Sequence, residues 1–204
     1  MNFWKALLLA VMAIVVGMAA YAANMAHHGF STRTQPSRLE VVLARTMRKM
    51  AIPTKMKEEN NPWAAEKTAE VMETARAHWA EHCATCHAND GSGNTEIGQN
   101  LYPKAPDMRL PATQNLTDGE LYYIIRNGIR LTGMPAWGDP DTLQDDDSWQ
   151  LVLFIRHLSR ITPEELREME RLNPKTEAQR AADAETERFL NEGIAPQSQE
   201  QMHH

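Results

Sequence analysis

Two cysteines and a histidine in one short stretch carry the clearest chemical signal in the sequence. Cys83 and Cys86 are three positions apart, His87 follows directly, and the chain has no other cysteine. On one helical turn, two thiols with this spacing can each add to a vinyl group at one edge of a haem, while the adjacent imidazole reaches the iron. The stretch therefore predicts one covalently attached c-type haem.

Two other uses of a Cys-x-x-Cys pair fit the sequence less well. A structural zinc site needs four Cys or His ligands in paired clusters, and no second pair is present. A thioredoxin-like redox motif needs a βαβ setting, and no strand-rich pattern surrounds these residues. Haem attachment remains the prediction.

A methionine downstream offers a second ligand for the iron. Met134 stands between Gly133 and Pro135 in a predicted loop, where a tight and rigid backbone can hold a thioether in one place. Met108, also in a proline-rich loop, and His157, on an apolar helix, are the alternatives. We predict His87 and Met134 as the metal ligands, because an imidazole beside the attachment site and a thioether in a fixed loop can together coordinate a haem iron.

The chain begins with an apolar run, from which the location of the haem can be predicted. Residues 6–23 are uninterrupted by charge and follow Lys5, which suits either a membrane anchor or a secretory signal with a cleavage site near Ala20 and Ala22. The length of the run favours the anchor. Because c-type haem is attached outside the bacterial cytoplasm, we expect the remainder on the periplasmic side, or soluble in the periplasm if the run is cleaved.

A basic amphipathic helix is predicted next. Leu39, Val42, Leu43, Met47 and Met50 recur at helical spacing, with basic residues between them, before Pro53 ends the pattern. Such a helix can lie on anionic lipid headgroups beside the anchor or pack against the acidic haem domain. Both interpretations stay open.

The haem-bearing part of the chain shows a series of helix signals. A helix is predicted from Asn61 and Pro62 into the Cys83 motif, followed by extended chain over residues 101–111. A capping box at Thr117 and Glu120 starts the next helix, which Gly128 is placed to end. An aromatic helix near residues 149–158 and a capped helix from Thr162 complete the series, and we expect partial disorder after Lys175.

The chain divides into four segments of different character. They are an anchor or signal (1–23), a basic linker with the amphipathic helix (24–61), a haem domain (62–160) and an acidic helical, partly disordered tail (161–204). The net charge is −6 with 42% apolar residues, so the composition argues against a nucleic-acid partner.

With these parts in place, residues 62–160 resemble class I cytochrome c, and are similar to the small monohaem cytochrome subunits of bacterial oxidases and dehydrogenases. The resemblance rests on the helix entering Cys83–His87, the Gly-Met-Pro-Ala-Trp loop at Met134 and the aromatic C-terminal helix. It implies an all-α fold in which the first and last helices cross near the haem. Ala75 and Trp79 are then expected to pack on Leu151 and Phe154.

The resemblance and the ligand chemistry together predict a one-electron carrier and not an enzyme. Its partners would be redox proteins, either a dehydrogenase donor or an oxidase acceptor, with no small-molecule substrate. The alternatives are a peroxidase-like haem enzyme or gas sensor with an open sixth position, and a docking subunit of a larger redox complex. Four side chains are candidates for contacts with the haem edge or propionates: Tyr102, Arg109, Arg130 and Trp137.

Overall fold

The computed structural model describes residues 3–28, 31–66, 68–142 and 145–193, and all regular structure within these ranges is helical. The predicted all-α class is confirmed. The α-helices in these ranges are α1 (Phe3–His28), α2 (Arg38–Ala51), α3 (Thr54–Glu58), α4 (Ala69–His78), α5 (Ala84–His87), α6 (Glu96–Asn100), α7 (Pro111–Gln114), α8 (Asp118–Asn127), α9 (Asp146–His157), α10 (Pro163–Leu172) and α11 (Glu177–Gly193). Short 3₁₀ turns cover Pro62–Ala64 and Leu158–Arg160, and a π-helical turn covers Trp79–Cys83.

The core is built where α4 crosses α9. Trp79 and Phe154 are 2% and 0% exposed, and their ring centroids are 5.5 Å apart. Ala75 and Leu151 belong to the same buried cluster. The predicted packing of the first haem-domain helix on the last is therefore confirmed.

Helix α8 packs on the other side of α9. The ring of Tyr122 stacks on Trp149 with centroids 4.1 Å apart. The helix begins at the predicted capping box, in which Thr117 and Glu120 each accept the other's backbone N–H. It ends at Gly128, whose φ of 65° lies in the region that favours glycine. Both predicted boundaries of α8 are confirmed.

The start of α4 differs from the prediction. Asn61 caps only the turn Pro62–Ala64, and α4 begins at Ala69, where the Thr68 side chain accepts the N–H of Val71. The physical reason is that Thr68 supplies an N-cap of its own, whereas the Asn61 side-chain amide donates to the Trp149 carbonyl at 2.8 Å and ties the separate turn to α9. The prediction of one helix from Pro62 to the motif is wrong.

Helix α10 packs on the same core. Its capping box at Thr162 and Glu165 is confirmed, and Met169 is fully buried among the core residues. The Arg76 guanidinium lies 2.8 Å from Glu168 in α10, and the Asn173 side-chain amide donates to the Ala80 carbonyl. Although the predicted division falls at residue 160, the buried core thus extends to residue 169.

The two ends of the described chain are exposed helices. Residues 3–27 of α1 have a mean hydropathy of 2.4 in their most apolar window, none of which is buried, so α1 is long and apolar enough to cross a membrane. A secretory signal would meet the same criterion. At the other end, the segment expected to be partly disordered contains α11, and residues 194–204 lie outside the described residues.

Candidate functional site

The two cysteines lie at the end of one continuous helical segment. Helix α4 runs through the π-helical turn into α5, so Cys83, Cys86 and His87 lie within five consecutive residues of one helical segment. Both thiols are free and partly buried. Burial raises the pKa of Cys83 to about 12, with a smaller contribution from the neighbouring Cys86, and burial also raises the pKa of Cys86. Both side chains are therefore neutral thiols in the free chain.

The imidazole of His87 is largely enclosed and has an unsatisfied nitrogen. Its Nδ1 is buried and has no hydrogen-bond partner. The ring packs on Trp79, with centroids 5.8 Å apart, and Trp79 Nε1 donates to the Ala88 carbonyl at 3.0 Å. Burial lowers the pKa of His87, which keeps the ring neutral. A neutral, buried imidazole with an unpartnered nitrogen fits a haem ligand, because such atoms in proteins nearly always have a partner.

A glycine-rich loop folds back over the motif. The Gly93 N–H donates to the His87 carbonyl at 2.8 Å, and the Thr95 hydroxyl donates to the Cys86 carbonyl at 3.2 Å. A Cβ atom on Gly98 would stand 2.1 Å from the Cys86 carbonyl oxygen, so only glycine fits there. These contacts were not predicted: the Thr95 hydroxyl caps α6 by accepting the Gly98 N–H, and no local pattern shows what the cap lies against.

The Met134 loop is attached to the end of α8. The Ile129 N–H donates to the Met134 carbonyl, and the Met134 N–H donates to the Thr132 hydroxyl, each at 3.1 Å. Three residues further on, the Trp137 N–H donates to the Ile125 carbonyl. The partly buried Met134 is thus held on both sides by a fixed backbone.

Trp137 brings this loop to the cysteine motif. Its ring centroid lies 5.5 Å from that of His82, the residue directly before Cys83. A Cβ atom on Gly133 would contact the Leu101 side chain, which places the loop beside residues 95–101 as well. The structure therefore brings together the predicted attachment residues and the predicted methionine loop.

The alternative ligands have other environments. Met108 packs against the hydrophobic core, and its N–H donates to the Gly91 carbonyl at 2.8 Å. His157 Nε2 lies 2.9 and 3.0 Å from the two carboxylate oxygens of Glu165 in α10. The Met108 side chain thus packs in the core and the His157 side chain pairs with Glu165, so both side chains stabilise the fold.

The candidates for haem-edge contacts also differ from one another. Arg109 is held by its own chain, with hydrogen bonds to the Asp107 and Asp90 carboxylates at 2.7 to 3.0 Å. The Tyr102 hydroxyl donates to Glu40 in α2. Arg130 is exposed, and Trp137 contacts His82. Of the four, Trp137 lies next to the motif.

Comparison with known families adds independent evidence. Residues 70–155 match the family model described as cytochrome c oxidase, cbb3-type, subunit III. Residues 70–155 form a monohaem cytochrome c domain. The matched range of this cytochrome c domain begins in α4 and ends in α9, and it includes the cysteine motif and the Met134 loop. A search of curated proteins finds no match for the chain.

The family match establishes the cofactor and its general role. The cytochrome c domain binds a c-type haem, and the match indicates electron transfer within a redox system. The partly buried neutral imidazole of His87 and the two thiols on its helical turn fit that group. The flanking segments, with α1, α2, α3, α10 and α11, lie outside the matched range.

Proposed function

We propose that the chain is a membrane-anchored periplasmic electron carrier, in which Cys83 and Cys86 hold one haem covalently and His87 and Met134 ligate its iron. The observation that carries this proposal is the partly buried His87 ring, whose buried Nδ1 has no hydrogen-bond partner, on the same turn as the two free thiols. The family match covers all four residues and supports the assignment.

Each side chain has a definite role in this proposal. Cys83 and Cys86 would hold the haem through thioether bonds to its vinyl groups, and because the sulfur and the hydrogen of each thiol would add to the same double bond, attachment would need no oxidant. His87 supplies a nitrogen lone pair from a ring that packing on Trp79 holds in place. Met134 supplies a soft thioether, which favours ferrous over ferric iron and raises the potential. When bound, the haem supplies one-electron exchange at its iron.

The location and partners follow from other parts of the chain. Helix α1 is long and apolar enough to act as an anchor, and c-type haem is attached outside the cytoplasm. The match to an oxidase subunit supports a redox protein as partner, either a dehydrogenase donor or an oxidase acceptor. With His87 and Met134 both bound to the iron, the domain would pass electrons and would leave no open site for oxygen or peroxide.

The ligand assignment is tested by comparing two methionine variants. Ferric wild-type protein is expected to show a low-spin spectrum with the near-infrared sulfur-to-iron band, and the reduced protein is expected not to bind carbon monoxide. Met134→Ala should abolish the band and allow carbon monoxide binding, because the sulfur ligand is removed. Met108→Ala, the matched control, should keep the band because Met108 packs in the core.

Two results would overturn the proposal. Survival of the band in Met134→Ala, or its loss in Met108→Ala, would assign the ligand elsewhere. Rapid carbon monoxide binding by the reduced wild type would indicate an open sixth position, as in a haem enzyme or gas sensor.

A further inference from the structure

The apolar side chains of α2 are exposed in the structure. The sequence pattern predicts that lipid or protein covers them. Five large apolar residues of this helix are between 56% and 77% exposed: Leu39, Val42, Leu43, Met47 and Met50. At 100° per residue they fall on one side of the helix. We call this side the apolar face of α2.

The opposite side of α2 attaches the helix to the cytochrome c domain. Arg48 is partly buried in a cleft that it shares with Glu120, and Ile52, directly after the helix, is 2% exposed. At the N-terminal end, the Tyr102 hydroxyl donates to Glu40 at 3.1 Å. The helix is thus fixed on the domain by polar and basic residues, and its apolar face points away from the domain.

The connector between α1 and α2 limits how far the apolar face can lie from the predicted anchor. Residues 29–37 join the two helices and can span at most about 30 Å. The start of α2 therefore stays within about this distance of the C-terminal end of α1.

Basic side chains border the apolar face. Arg38, Arg45 and Lys49 are exposed and follow one another along one edge of the helix. An apolar face with a basic border is the composition of helices that lie in the interface of anionic membranes. Arg45 and Lys49 also line the cleft in which Arg48 meets Glu120, so one carboxylate there faces three basic side chains. The excess of positive charge along this edge favours anionic headgroups over a purely apolar partner, such as a transmembrane helix of another protein.

We propose that α2 lies in the interfacial layer of an anionic lipid bilayer, with its apolar face at the acyl boundary and its basic border at the headgroups. This inference rests on the proposed anchoring by α1. Because α2 is fixed to the cytochrome c domain, its position in the membrane sets the height and orientation of the haem above the bilayer. The anchor alone, joined by a connector, would leave the domain free to move away from the surface.

The test measures the distance between haem and bilayer in the full-length haem protein. The protein is reconstituted into vesicles of phosphatidylcholine with phosphatidylglycerol that contain a fluorescent headgroup-labelled lipid, and the haem quenches this label by energy transfer. Leu43→Glu/Met47→Glu places two carboxylates on the apolar face. Ala44→Glu/Ala51→Glu, the matched control, places two on exposed positions outside it.

The apolar-face variant is expected to lose at least about half of the quenching, because charged side chains leave the interface. The control should quench like the wild type. In the wild type, hydrogen peroxide should oxidise Met47 and Met50 more slowly in these vesicles than in vesicles of phosphatidylcholine alone. The haem absorption spectrum of each variant checks that the domain is folded.

The outcomes separate this inference from the proposed anchoring. Release of the wild type from vesicles by alkaline carbonate would contradict the anchor. If the wild type, the apolar-face variant and the control all stay on the vesicles and quench equally, the role proposed for α2 is contradicted, whereas the anchoring by α1 is not. Unchanged quenching together with variant-specific loss of a co-purifying membrane protein would assign the apolar face to a protein partner and overturn the lipid proposal.

Discussion

His157 and Glu165 form a partly buried pair where α9 meets α10. The His157 Nε2 lies 2.9 and 3.0 Å from the two carboxylate oxygens, and the Thr162 N–H donates to the same carboxylate at 2.8 Å. Burial alone would raise the pKa of Glu165, but the hydrogen bonds from Thr162 and His157 outweigh it and leave the pKa below its usual value. The ionised carboxylate is therefore the form that the folded state prefers.

A carboxyl group with a lowered pKa makes stability depend on pH. Its contribution is present above the pKa of the unfolded chain, about 4.3 for glutamate, and is lost as pH falls through the lower folded value. Glu165→Gln should therefore reduce the free energy of unfolding near neutral pH, and the difference from the wild type should shrink under acid conditions. Denaturant unfolding, followed by far-ultraviolet circular dichroism across this range, measures the effect.

The control for this prediction is Glu170→Gln, which changes an exposed glutamate of the same helix. Its unfolding profile should stay parallel to that of the wild type. A Glu165→Gln profile that also runs parallel across the whole pH range would show that the pair does not stabilise the fold through ionisation.

The role of a site residue was predictable where its partners are close to it in the sequence. Cys83, Cys86 and His87 must share one helical turn to hold a haem, so their spacing alone indicated the cofactor. The contact between Trp137 and His82 joins residues far apart in the sequence, and no local pattern indicates it. The same holds for Gly98, whose need for glycine comes from the Cys86 carbonyl across the loop.

At the scale of elements, local signals predicted some boundaries and failed at another. The capping boxes at Thr117 and Thr162 fixed the starts of α8 and α10, because both partners of each box lie within four residues. Asn61 and Pro62 give a different local signal, an N-cap followed by proline without a capping box, and the Asn61 side-chain amide also donates to the Trp149 carbonyl. They begin only a short turn, and α4 begins at the Thr68 cap; no local pattern decides between these two caps.

Helix α10 is expected to contribute to the stability of the cytochrome c domain. Met169 is fully buried, so Met169→Ala should leave a cavity in the core and lower the free energy of unfolding by about 2–5 kcal/mol. Leu172→Ala removes a side chain of the same helix that is 39% exposed, and it should cost less than about 1 kcal/mol. Chemical denaturation of the two variants gives both values, and equal losses would contradict the role of Met169 in the core.

At the scale of the whole molecule, the structure suggests where the folded body ends. Helix α10 supplies partners to Arg76, and Asn173 bonds the Ala80 carbonyl and the Asn89 side chain. Beyond Pro174, the described side chains of α11 are mostly exposed, including Phe189 at 75%. The sequence division at residue 160 followed the family resemblance, whereas the packing of the helix beyond it depends on tertiary contacts.

Two truncations of the full-length haem protein test this extent. Deleting residues 175–204 should leave the thermal midpoint and the haem spectrum unchanged, because no core side chain is removed. Deleting residues 161–204 should lower the midpoint and the yield of haem protein, because it removes Met169 and the α10 partners of Arg76. Equal midpoints would place the boundary at residue 160 after all.

The shorter deletion also tests a docking role for the tail. Loss of a co-purifying redox partner at an unchanged midpoint would assign docking to residues 175–204, and retention of that partner would exclude it.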